Sequence, residues 1–231
     1  FIQNTMFPIN DSILSEVKYS PFAYDKHAKL FYTDDITSPS KDRGKFIDES
    51  IDLVKKILDI SQGKALILFT SKADMNAVYT RLKALNLNYT LIKQNEISSQ
   101  QQLIHKFKQD INSVLLGTGV FWEGISIEGI ALSNLIIYKL PFPLPEPIIN
   151  EKCKRSKNPL EEVLVPEMII KLKQGVGRLI RNKTDKGIVS IIDSRLGDKS
   201  KASYKEKVWQ ALPIKQRTNS LKELQSFYDN L

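Results

Sequence analysis

Short apolar segments of strand length alternate with longer segments in which apolar residues recur at helical spacing, and this alternation restricts the fold most strongly. Residues 65–69 form a continuously apolar segment, and residues 114–116, 132–140 and 188–192 are further mainly apolar segments. A strand that is apolar at every position is typical of a parallel sheet that is buried on both faces. Strands that alternate with helices predict an α/β fold, with a doubly wound, mainly parallel sheet and helices on both faces.

The segments between the apolar runs predict the remaining elements. Apolar spacing from about residue 46 indicates a helix that Gly63 ends. Further helices are predicted at 72–85, 99–109, 162–182, 203–211 and 219–230. Short strands are predicted at 29–33 and 89–92, and a proline-rich loop at 141–147. We therefore expect an irregular N-terminal segment, residues 1–45, that packs on one domain formed by residues 46–231.

Cysteine content and hydropathy exclude several classes of protein. Cys153 is the single cysteine, so the chain can form neither an internal disulfide nor a zinc or iron–sulfur site with four cysteine ligands. No apolar run approaches the length of about 20 residues that a membrane-spanning helix needs. The first residues lack the basic start and the cleavage site of a signal peptide. A reducing, cytoplasmic setting without a membrane partner fits these features best.

Positive charge is concentrated in one part of the chain. The net charge is +8, and residues 152–217 hold 17 of the basic and seven of the acidic residues. Such polarity is typical of a surface that faces an anionic partner, most often nucleic acid. A solvated lysine surface without a partner explains the charge equally well.

Glycines and arginines are combined in an unusual way within the predicted helix at 162–182. At 100° per residue, one helical face presents an amide, a glycine and two guanidinium groups: Gln174, Gly177, Arg178 and Arg181. A glycine such as Gly175 costs about 1 kcal/mol in a helix relative to alanine, which suggests that another group approaches the helix closely. Two guanidinium groups on one face suit a phosphate chain. The alternative is a surface helix whose arginines bind no ligand.

A second glycine-rich segment, residues 117–124, directly follows the apolar run at 114–116. Ligands of α/β sheets bind beyond the carboxyl ends of the strands, and glycines there let the backbone approach a ligand. Trp122 in this segment suits stacking on an unpaired base beside a basic surface. An equally good alternative is that Trp122 fills the space between loops.

Two sequence motifs that bind a nucleoside triphosphate in many ATPases are absent from the sequence. No Gly-x-x-x-x-Gly-Lys-Ser/Thr sequence is present, and no Asp-Glu-x-His-type sequence follows a strand. The chain therefore lacks the groups that bind Mg²⁺ and the β- and γ-phosphates. His27 and His105 have no partner at the spacing of a metal site or a triad, so we expect no metal site. The prolines at 141–147 indicate a stiff interdomain loop, with a polyproline ligand as the alternative.

Three segments, taken in this order, resemble motifs of the superfamily-two helicases of the DinG/XPD family. Residues 65–71 resemble motif IV, residues 117–125 and 139–143 resemble motif V with its following strand and loop, and residues 174–181 resemble motif VI. In addition, Ser20-Pro21-Phe22-x-Tyr24 is similar to a sequence that often precedes this domain. The resemblance covers residues 18–230 and implies a RecA-like fold for the predicted sheet.

The resemblance implies the second motor domain of an ATP-dependent DNA helicase. In this family two RecA-like domains enclose ATP and Mg²⁺, which the first domain binds mainly, and hydrolysis drives movement along single-stranded DNA. The catalytic arginine fingers would be Arg178 and Arg181. The other residues at the nucleotide would be Gln174, Gly177, Glu123 and Gly124. The residues that contact single-stranded DNA would be Thr70, Ser71, Thr118, Gly119 and Trp122. The family's iron–sulfur cluster lies in the first domain, so none is expected in this chain.

One position departs from the family pattern, because Ser126 stands where the family usually has an aspartate. The chain therefore lacks a carboxylate in the region that couples nucleotide and nucleic acid. Some bacterial DinG proteins join a DnaQ-type exonuclease domain to the helicase region. A second interpretation is thus a RecA-like module that binds single-stranded nucleic acid for an attached 3′-5′ exonuclease without productive hydrolysis. A third, a free-standing nucleotide-binding enzyme, is disfavoured by the missing phosphate-binding loop.

Overall fold

The computed structural model describes residues 24–122, 127, 131–182 and 184–231, and these residues form one parallel sheet. Its strands are β1 (Ala28–Tyr32), β2 (Ala65–Phe69), β3 (Leu91–Lys93), β4 (Val114–Thr118), β5 (Asn134–Tyr138), β6 (Gly187–Ile192) and β7 (Arg217–Thr218). The strand order is β3-β4-β2-β5-β6-β1-β7, and all neighbouring pairs are parallel. The predicted α/β, doubly wound fold is confirmed.

Helices connect the strands and cover the sheet. They are α1 (Tyr24–His27), α2 (Arg43–Ser61), α3 (Lys72–Ala84), α4 (Gln100–Gln109), α5 (Pro147–Arg155), α6 (Val165–Val176), α7 (Lys205–Ala211) and α8 (Leu221–Asp229). Side-chain caps define several starts: Asp42 accepts from the Lys45 amide before α2, and Ser99 forms a capping box with Gln102 at α4. Helix α2 ends at Ser61 because Gln62 and Gly63 adopt left-handed backbone angles, with φ of 53° and 79°.

The hydrophobic core lies on both faces of the sheet, as the burial of the β2 side chains illustrates. Its five residues are fully buried. Leu66 and Leu68 pack in the apolar cluster under α4, α6 and α7, whereas Ala65, Ile67 and Phe69 pack in the cluster under α2, α3 and α8. Because side chains alternate between the faces, a strand covered on both sides favours apolar residues at every position. This burial explains the continuous apolarity of the sequence.

Part of the N-terminal segment belongs to the sheet. Strand β1 pairs with β6 over Ala28 to Tyr32 and with β7 at Leu30 and Phe31. The strand predicted at 29–33 is therefore present, displaced by one residue. The segment Ser20–Phe22 of the family-like sequence lies outside the described residues, and the domain boundary after residue 45 stays a prediction.

Three local features differ from the sequence-based expectations. The predicted helix at 162–182 begins with a π-helical turn, Leu160–Leu164, and α6 already ends at Val176. Helix α5 starts with Pro147 at the end of the proline-rich loop, where no helix was predicted. Strand β7 has only two residues and was also missed. Within the described ranges, no helix is both long and apolar enough to cross a membrane.

Candidate functional site

The sheet changes its direction of winding at β2, and the motif segments end at this point. Strands β3 and β4 lie on one side of β2, while β5 and β6 lie on the other. Thr70 follows β2, Gly119 follows β4 and Lys139 follows β5. Since the strands are parallel, these residues lie at one edge of the sheet. Ligands of doubly wound sheets bind beyond the carboxyl ends of the strands at such a point.

Trp122 lies at the centre of the described site and is fully buried. Its indole Nε1 donates to the backbone carbonyl of Phe69, at 2.7 Å. With no exposed ring face, Trp122 has no surface on which a base could stack. Of the two alternatives left open by the sequence, the structure shows packing, and we remove Trp122 from the proposed nucleic-acid contacts.

The ring of Trp122 explains Gly175 in α6. A Cβ atom on Gly175 would lie only 2.7 Å from Cζ3 of Trp122, so only glycine lets the helix approach the indole this closely. The close approach predicted from the sequence is therefore present at Gly175. At Gly177 a Cβ atom would meet the carbonyls of Lys173 and Gln174, at 3.3 and 3.6 Å, so no distant part of the described chain approaches this glycine, and its place at the nucleotide stays a prediction.

Arg178 is buried against the loop that follows β4. Its Nε and one terminal nitrogen donate to the carbonyl oxygen of Trp122, at 3.0 and 2.6 Å, and the residue is 9% exposed. A buried guanidinium needs such hydrogen bonds to offset its lost hydration. Arg178 therefore links the motif VI segment to the motif V segment through a backbone atom.

Arg181 has a different environment from Arg178. Its backbone amide donates to Oδ2 of Asp185 at 2.8 Å, and the amide of Asn182 donates to the same oxygen at 2.9 Å. Its side-chain Nε is buried and has no hydrogen-bond partner among the described residues. The buried Asp185 thus fixes the backbone at Arg181 while the guanidinium keeps donor capacity for an anion.

The shared helical face predicted for Gln174, Gly177, Arg178 and Arg181 was wrong. Helix α6 ends at Val176, and the amides of Arg178 and Leu179 bond to carbonyls three residues earlier. Asp185 then accepts from the amides of residues 181 and 182. Two glycines weaken the helix here, and the carboxylate offers the backbone an alternative partner. Arg178 therefore lies in the turn that follows the helix, and Arg181 lies in the irregular segment after that turn.

Thr118 and Gly119 mark the start of the loop after β4. The side-chain oxygen of Gln94 accepts from the Thr118 amide at 2.7 Å and from its hydroxyl at 3.1 Å. Gly119 has a left-handed φ of 49°, and no atom lies within 4 Å of a Cβ built on it. The loop start is therefore fixed by Gln94, with open space beside Gly119 for a ligand.

Thr70 and Gln174 line one cleft of about 370 Å³, together with Phe142, Leu144 and Ile170. The structure thus brings together one residue predicted to contact nucleic acid and one predicted to contact nucleotide. Ser71, the neighbour of Thr70, accepts from the amide of Asp74 and caps α3. Its hydroxyl is therefore engaged in the helix start.

A buried carboxylate, Asp74, supports the end of β5. Oδ2 of Asp74 accepts from Lys139 at 2.5 Å, and Oδ1 accepts from Arg43 at 2.7 Å. Burial opposes ionisation of Asp74, but the hydrogen bonds and charges of Lys139 and Arg43 outweigh it and hold its pKa below the usual value. Lys139 has a left-handed φ of 67°, so this pair stabilises an uncommon backbone conformation.

A second buried carboxylate, Asp193, fixes the loop after β5. Its Oδ2 accepts from the Leu140 amide at 2.8 Å, and both of its oxygens accept from the Arg195 guanidinium. Arg195 in turn lies 5.1 Å from the ring centre of Phe142. The start of the proline-rich loop is therefore attached to the end of β6.

Comparison with known proteins identifies the family. Residues 54–215 match the family model described as Helicase C-terminal domain. The chain belongs to this family. Together with the relatives and the fold, the match identifies a helicase C-terminal domain of the DinG/XPD type.

Two relatives show how much of a longer protein this helicase domain represents. It is 33% identical over 227 residues to the ATP-dependent DNA helicase YoaA of Haemophilus influenzae, covering 95% of this chain and 34% of the relative. It is also 33% identical over 216 residues to the 3'-5' exonuclease DinG of Bacillus subtilis, covering 89% and 22%. The domain therefore spans about a third or less of these relatives.

Solved structures share the fold of the helicase domain. A structure titled XPD_Helicase matches with a TM-score of 0.62 and 22% identity, covering 80% of this chain and 34% of that chain. The C-terminal domain of the DEAD-box protein Dbp5 matches with a TM-score of 0.53 and 16% identity, covering 90% and 99%. These likenesses agree with a RecA-like sheet.

Several residues that position the site of this helicase domain were missed from the sequence. They are Gln94, Asp74, Lys139, Asp185 and Asp193. Some of these residues lie outside the motifs, and the others contact a segment that is distant from their own motif. The spacing of residues in the sequence therefore did not indicate their roles. A carboxylate directly after a buried strand, as at Asp193, was the one available indication. Glu123, Gly124 and Ser126 lie outside the described residues, and their roles stay predictions.

Proposed function

We propose that the chain is the second motor domain of an ATP-dependent DNA helicase of the DinG type. In the longer protein it would supply Arg181 to an ATP site shared with a first RecA-like domain. The observation that supports this most directly is the buried Nε of Arg181, which has no hydrogen-bond partner among the described residues and lies in a backbone segment held by Asp185. A guanidinium preorganised in this way suits the charge that develops on a transferring γ-phosphoryl group.

The first RecA-like domain would bind most of the ATP and its Mg²⁺. This chain has no phosphate-binding loop sequence, and its described residues hold no group of three or more side chains suited to a metal ion. Its own contribution would be an arginine, the Gln174 amide beside the cleft and the interface that closes on the nucleotide. Arg181 would act mainly on the transition state, because its charge matches the charge that forms during transfer.

Single-stranded DNA is the proposed nucleic-acid partner. Thr70 lines the cleft at the carboxyl end of β2, and Gly119 leaves open space at the end of β4. Backbone amides and hydroxyls at such an edge suit phosphate oxygens. The positive residues at 152–217 would add long-range attraction to the strand.

A second candidate function is a module that binds single-stranded nucleic acid for an attached 3′-5′ exonuclease. The relative named 3'-5' exonuclease DinG and the serine at position 126 both favour it. In that case Arg181 would remain without a catalytic task, and ATP turnover would be absent from the longer protein.

The two candidates differ in ATP turnover, which can be measured with and without the first domain. The isolated chain should hydrolyse no ATP, since it lacks the groups that hold Mg²⁺ and the β- and γ-phosphates. A protein that joins it to its first RecA-like domain should hydrolyse ATP, and single-stranded DNA should accelerate the reaction. Turnover by the isolated chain would contradict the shared site, while a joined protein without any turnover would favour the exonuclease module.

A further inference from the structure

Strand β3 is the first strand in the sheet order, and it has a single neighbour in the described sheet, β4. The carbonyl of Thr90 accepts from a β4 amide at 2.8 Å, and the amide of Gln94 donates to a β4 carbonyl at 2.9 Å. The backbone groups of a strand alternate in direction from one residue to the next. Those of Leu91 and Lys93 therefore point away from β4, towards the free edge of the sheet.

The free edge presents two unused pairs of backbone donors and acceptors. The amides and carbonyls of Leu91 and Lys93 have no hydrogen-bond partner among the described residues, and both residues are only partly buried. At about 3.3 Å per residue, the two pairs are roughly 6.6 Å apart, which is the repeat that an added strand matches. An extended peptide can therefore join the sheet here through main-chain hydrogen bonds.

A groove of about 620 Å³ follows this edge between α3 and α4, and its two walls differ in chemistry. On the α3 side, the partly buried Tyr79 and Leu91 present apolar surface at the margin of the core. On the α4 side, Gln102 and Lys106 are exposed. Beyond the strand, Ile97 lines the groove and is 96% exposed. Because the side chains of an added strand alternate between two faces, the groove suits a segment in which apolar and polar residues alternate.

The groove and an adjoining cleft of about 370 Å³ carry a positive charge. Their charged residues are three lysines and one glutamate, a net +2: Lys72, Lys93, Lys106 and Glu96. Lys72 pairs with Glu96 at 3.1 Å. Lys93 donates to the neutral side chain of Asn76, and Lys106 forms no ion pair with a described residue. No described carboxylate therefore neutralises Lys93 or Lys106, and both suit an acidic ligand.

We propose that the free edge of β3 is a docking site for an extended, acidic segment of a partner protein. The segment would add a strand to the sheet through the backbone groups of Leu91 and Lys93. It would pack its apolar side chains on Tyr79 and place its carboxylates beside Lys106. Docking at this edge involves neither ATP nor Arg181, so the inference goes beyond the proposed helicase function and stands independently of it.

Charge favours such a segment over a second copy of this chain. Edge strands that are protected from pairing with identical chains are short and carry lysines. Strand β3 has three residues, the last of which is Lys93. Two copies paired edge to edge would bring Lys93 and Lys106 of both chains together, and like charges repel. An acidic segment turns the same lysines into attractive contacts.

Amide hydrogen exchange of the full chain, followed by NMR, tests strand addition. The ligand is a synthetic peptide of about ten residues in which valine and glutamate alternate. At about nine-tenths occupancy, exchange of the Leu91 and Lys93 amides should slow about tenfold, because only the free protein then exchanges. The Ile92 amide, which already faces β4, should change little. The same peptide methylated at every backbone amide keeps its charge but donates no main-chain hydrogen bond, and it should not slow exchange.

Two lysine variants of α4 test the preference for acidic ligands. Lys106→Glu should weaken binding of the valine–glutamate peptide about fivefold and strengthen binding of a matched valine–lysine peptide. Lys108→Glu is the matched control, because it makes the same charge change on the same helix at an exposed residue outside the groove lining. It should leave both affinities nearly unchanged.

Several results would overturn the proposal. Exchange that does not slow even at millimolar peptide, or that slows equally with the methylated peptide, would exclude strand addition. Leu91 and Lys93 amides that are already protected in the free chain would show that the chain itself or a second copy covers the edge. Protection by single-stranded DNA and not by the peptide would assign the edge to nucleic acid. Equal effects of Lys106→Glu and Lys108→Glu would reject the preference for an acidic partner.

Discussion

Trp122 connects three motif segments through three different kinds of contact. Its indole donates to the Phe69 carbonyl within motif IV, its ring covers Gly175 of motif VI and its own carbonyl accepts from Arg178. Large buried aromatics contribute strongly to stability because they remove much apolar area from water. At this position the same residue also fixes the relative geometry of segments that we propose to bind DNA and nucleotide.

Replacing Trp122 by alanine should therefore destabilise the domain and leave its intrinsic DNA contacts in place. We expect the free energy of unfolding to fall by about 3–5 kcal/mol, as for other large core aromatics. Chemical denaturation gives this value, and a DNA-binding isotherm corrected for the folded fraction gives the affinity. A variant of normal stability with weakened DNA binding would contradict the burial of this side chain.

Two glycine variants provide the matched control for that contact. Gly175→Ala places a methyl group against the same indole and should cost about 1–3 kcal/mol through overpacking. Gly44→Ala, near the start of α2, meets only Asp42 Oδ1 at 3.5 Å and should leave stability unchanged or raised. Equal effects of the two substitutions would show that Trp122 does not restrict α6.

At the scale of elements, the sequence predicted the strands well and the ends of the motif segments poorly. Strands β2, β4, β5 and β6 are buried on both faces, so most of their positions are apolar, and Thr118, Asn134 and Ser190 are the buried polar positions among them. Helix α6 ends at Val176, where two glycines weaken the helix and where Asp185 accepts hydrogen bonds from the amides of residues 181 and 182. Helix α5 was missed because none of its residues is buried, so no apolar periodicity marks it.

The sequence indicated which segments form the candidate site, but only in part which contacts their individual residues make. Residue types and spacing selected Thr70, Thr118 and Arg181, and the structure places Thr70 and Thr118 at the carboxyl ends of β2 and β4. The burial of Trp122 and the hydrogen bonds of Arg178 depend on how the segment after α6 meets the loop after β4. Such tertiary contacts leave no periodic signal in the chain, so the sequence alone does not predict them.

The connection between α3 and the end of β5 predicts a dependence of stability on pH. Because the pKa of Asp74 is lowered in the folded state, its stabilisation is complete above the unfolded value and is lost as pH falls through the folded value. Asp74→Asn should cost about 1–3 kcal/mol near neutral pH, as expected for a buried hydrogen-bonded charge, and the difference from the parent should shrink in acid.

Denaturation curves between neutral pH and about pH 3, near and below the usual aspartate pKa, test this dependence. Asp52→Asn is the matched control, since Asp52 forms an exposed pair with Lys56 one helical turn away. That pair should contribute almost nothing. The role assigned to the ionised carboxylate would be refuted if Asp74→Asn and the parent differed in free energy of unfolding by the same amount at every pH.

At the scale of the whole molecule, charge and topology give different kinds of information. The sheet order places the candidate site at the carboxyl ends of β2, β4 and β5. The positive excess lies in residues 152–217, from α5 to β7. A surface charge of this kind attracts a polyanion over a long range without selecting its sequence, whereas local contacts at the loops set its position.

The positive surface charge of residues 152–217 predicts weak binding of single-stranded DNA with an affinity that depends on salt concentration. The logarithm of the affinity should fall with the logarithm of salt concentration by about 0.7 per phosphate neutralised, so three or four contacts give a slope of roughly −2 to −3. Titrations at several salt concentrations measure it. Neutralising the exposed Lys154 and Lys173 together should reduce the slope, whereas Lys56→Gln outside this region should not. A DNA affinity that does not change with salt concentration would contradict the electrostatic argument.

The catalytic use of Arg181 is the central claim, and the kinetics of Arg181→Ala in the longer protein test it most directly. With single-stranded DNA present, kcat for ATP should fall by about 10³-fold or more while KM changes little, because an arginine finger acts on the transition state. Arg81→Ala is the control, since Arg81 lies in α3 and pairs with Asp48. Equal kcat values for Arg181→Ala and the parent protein would contradict the account.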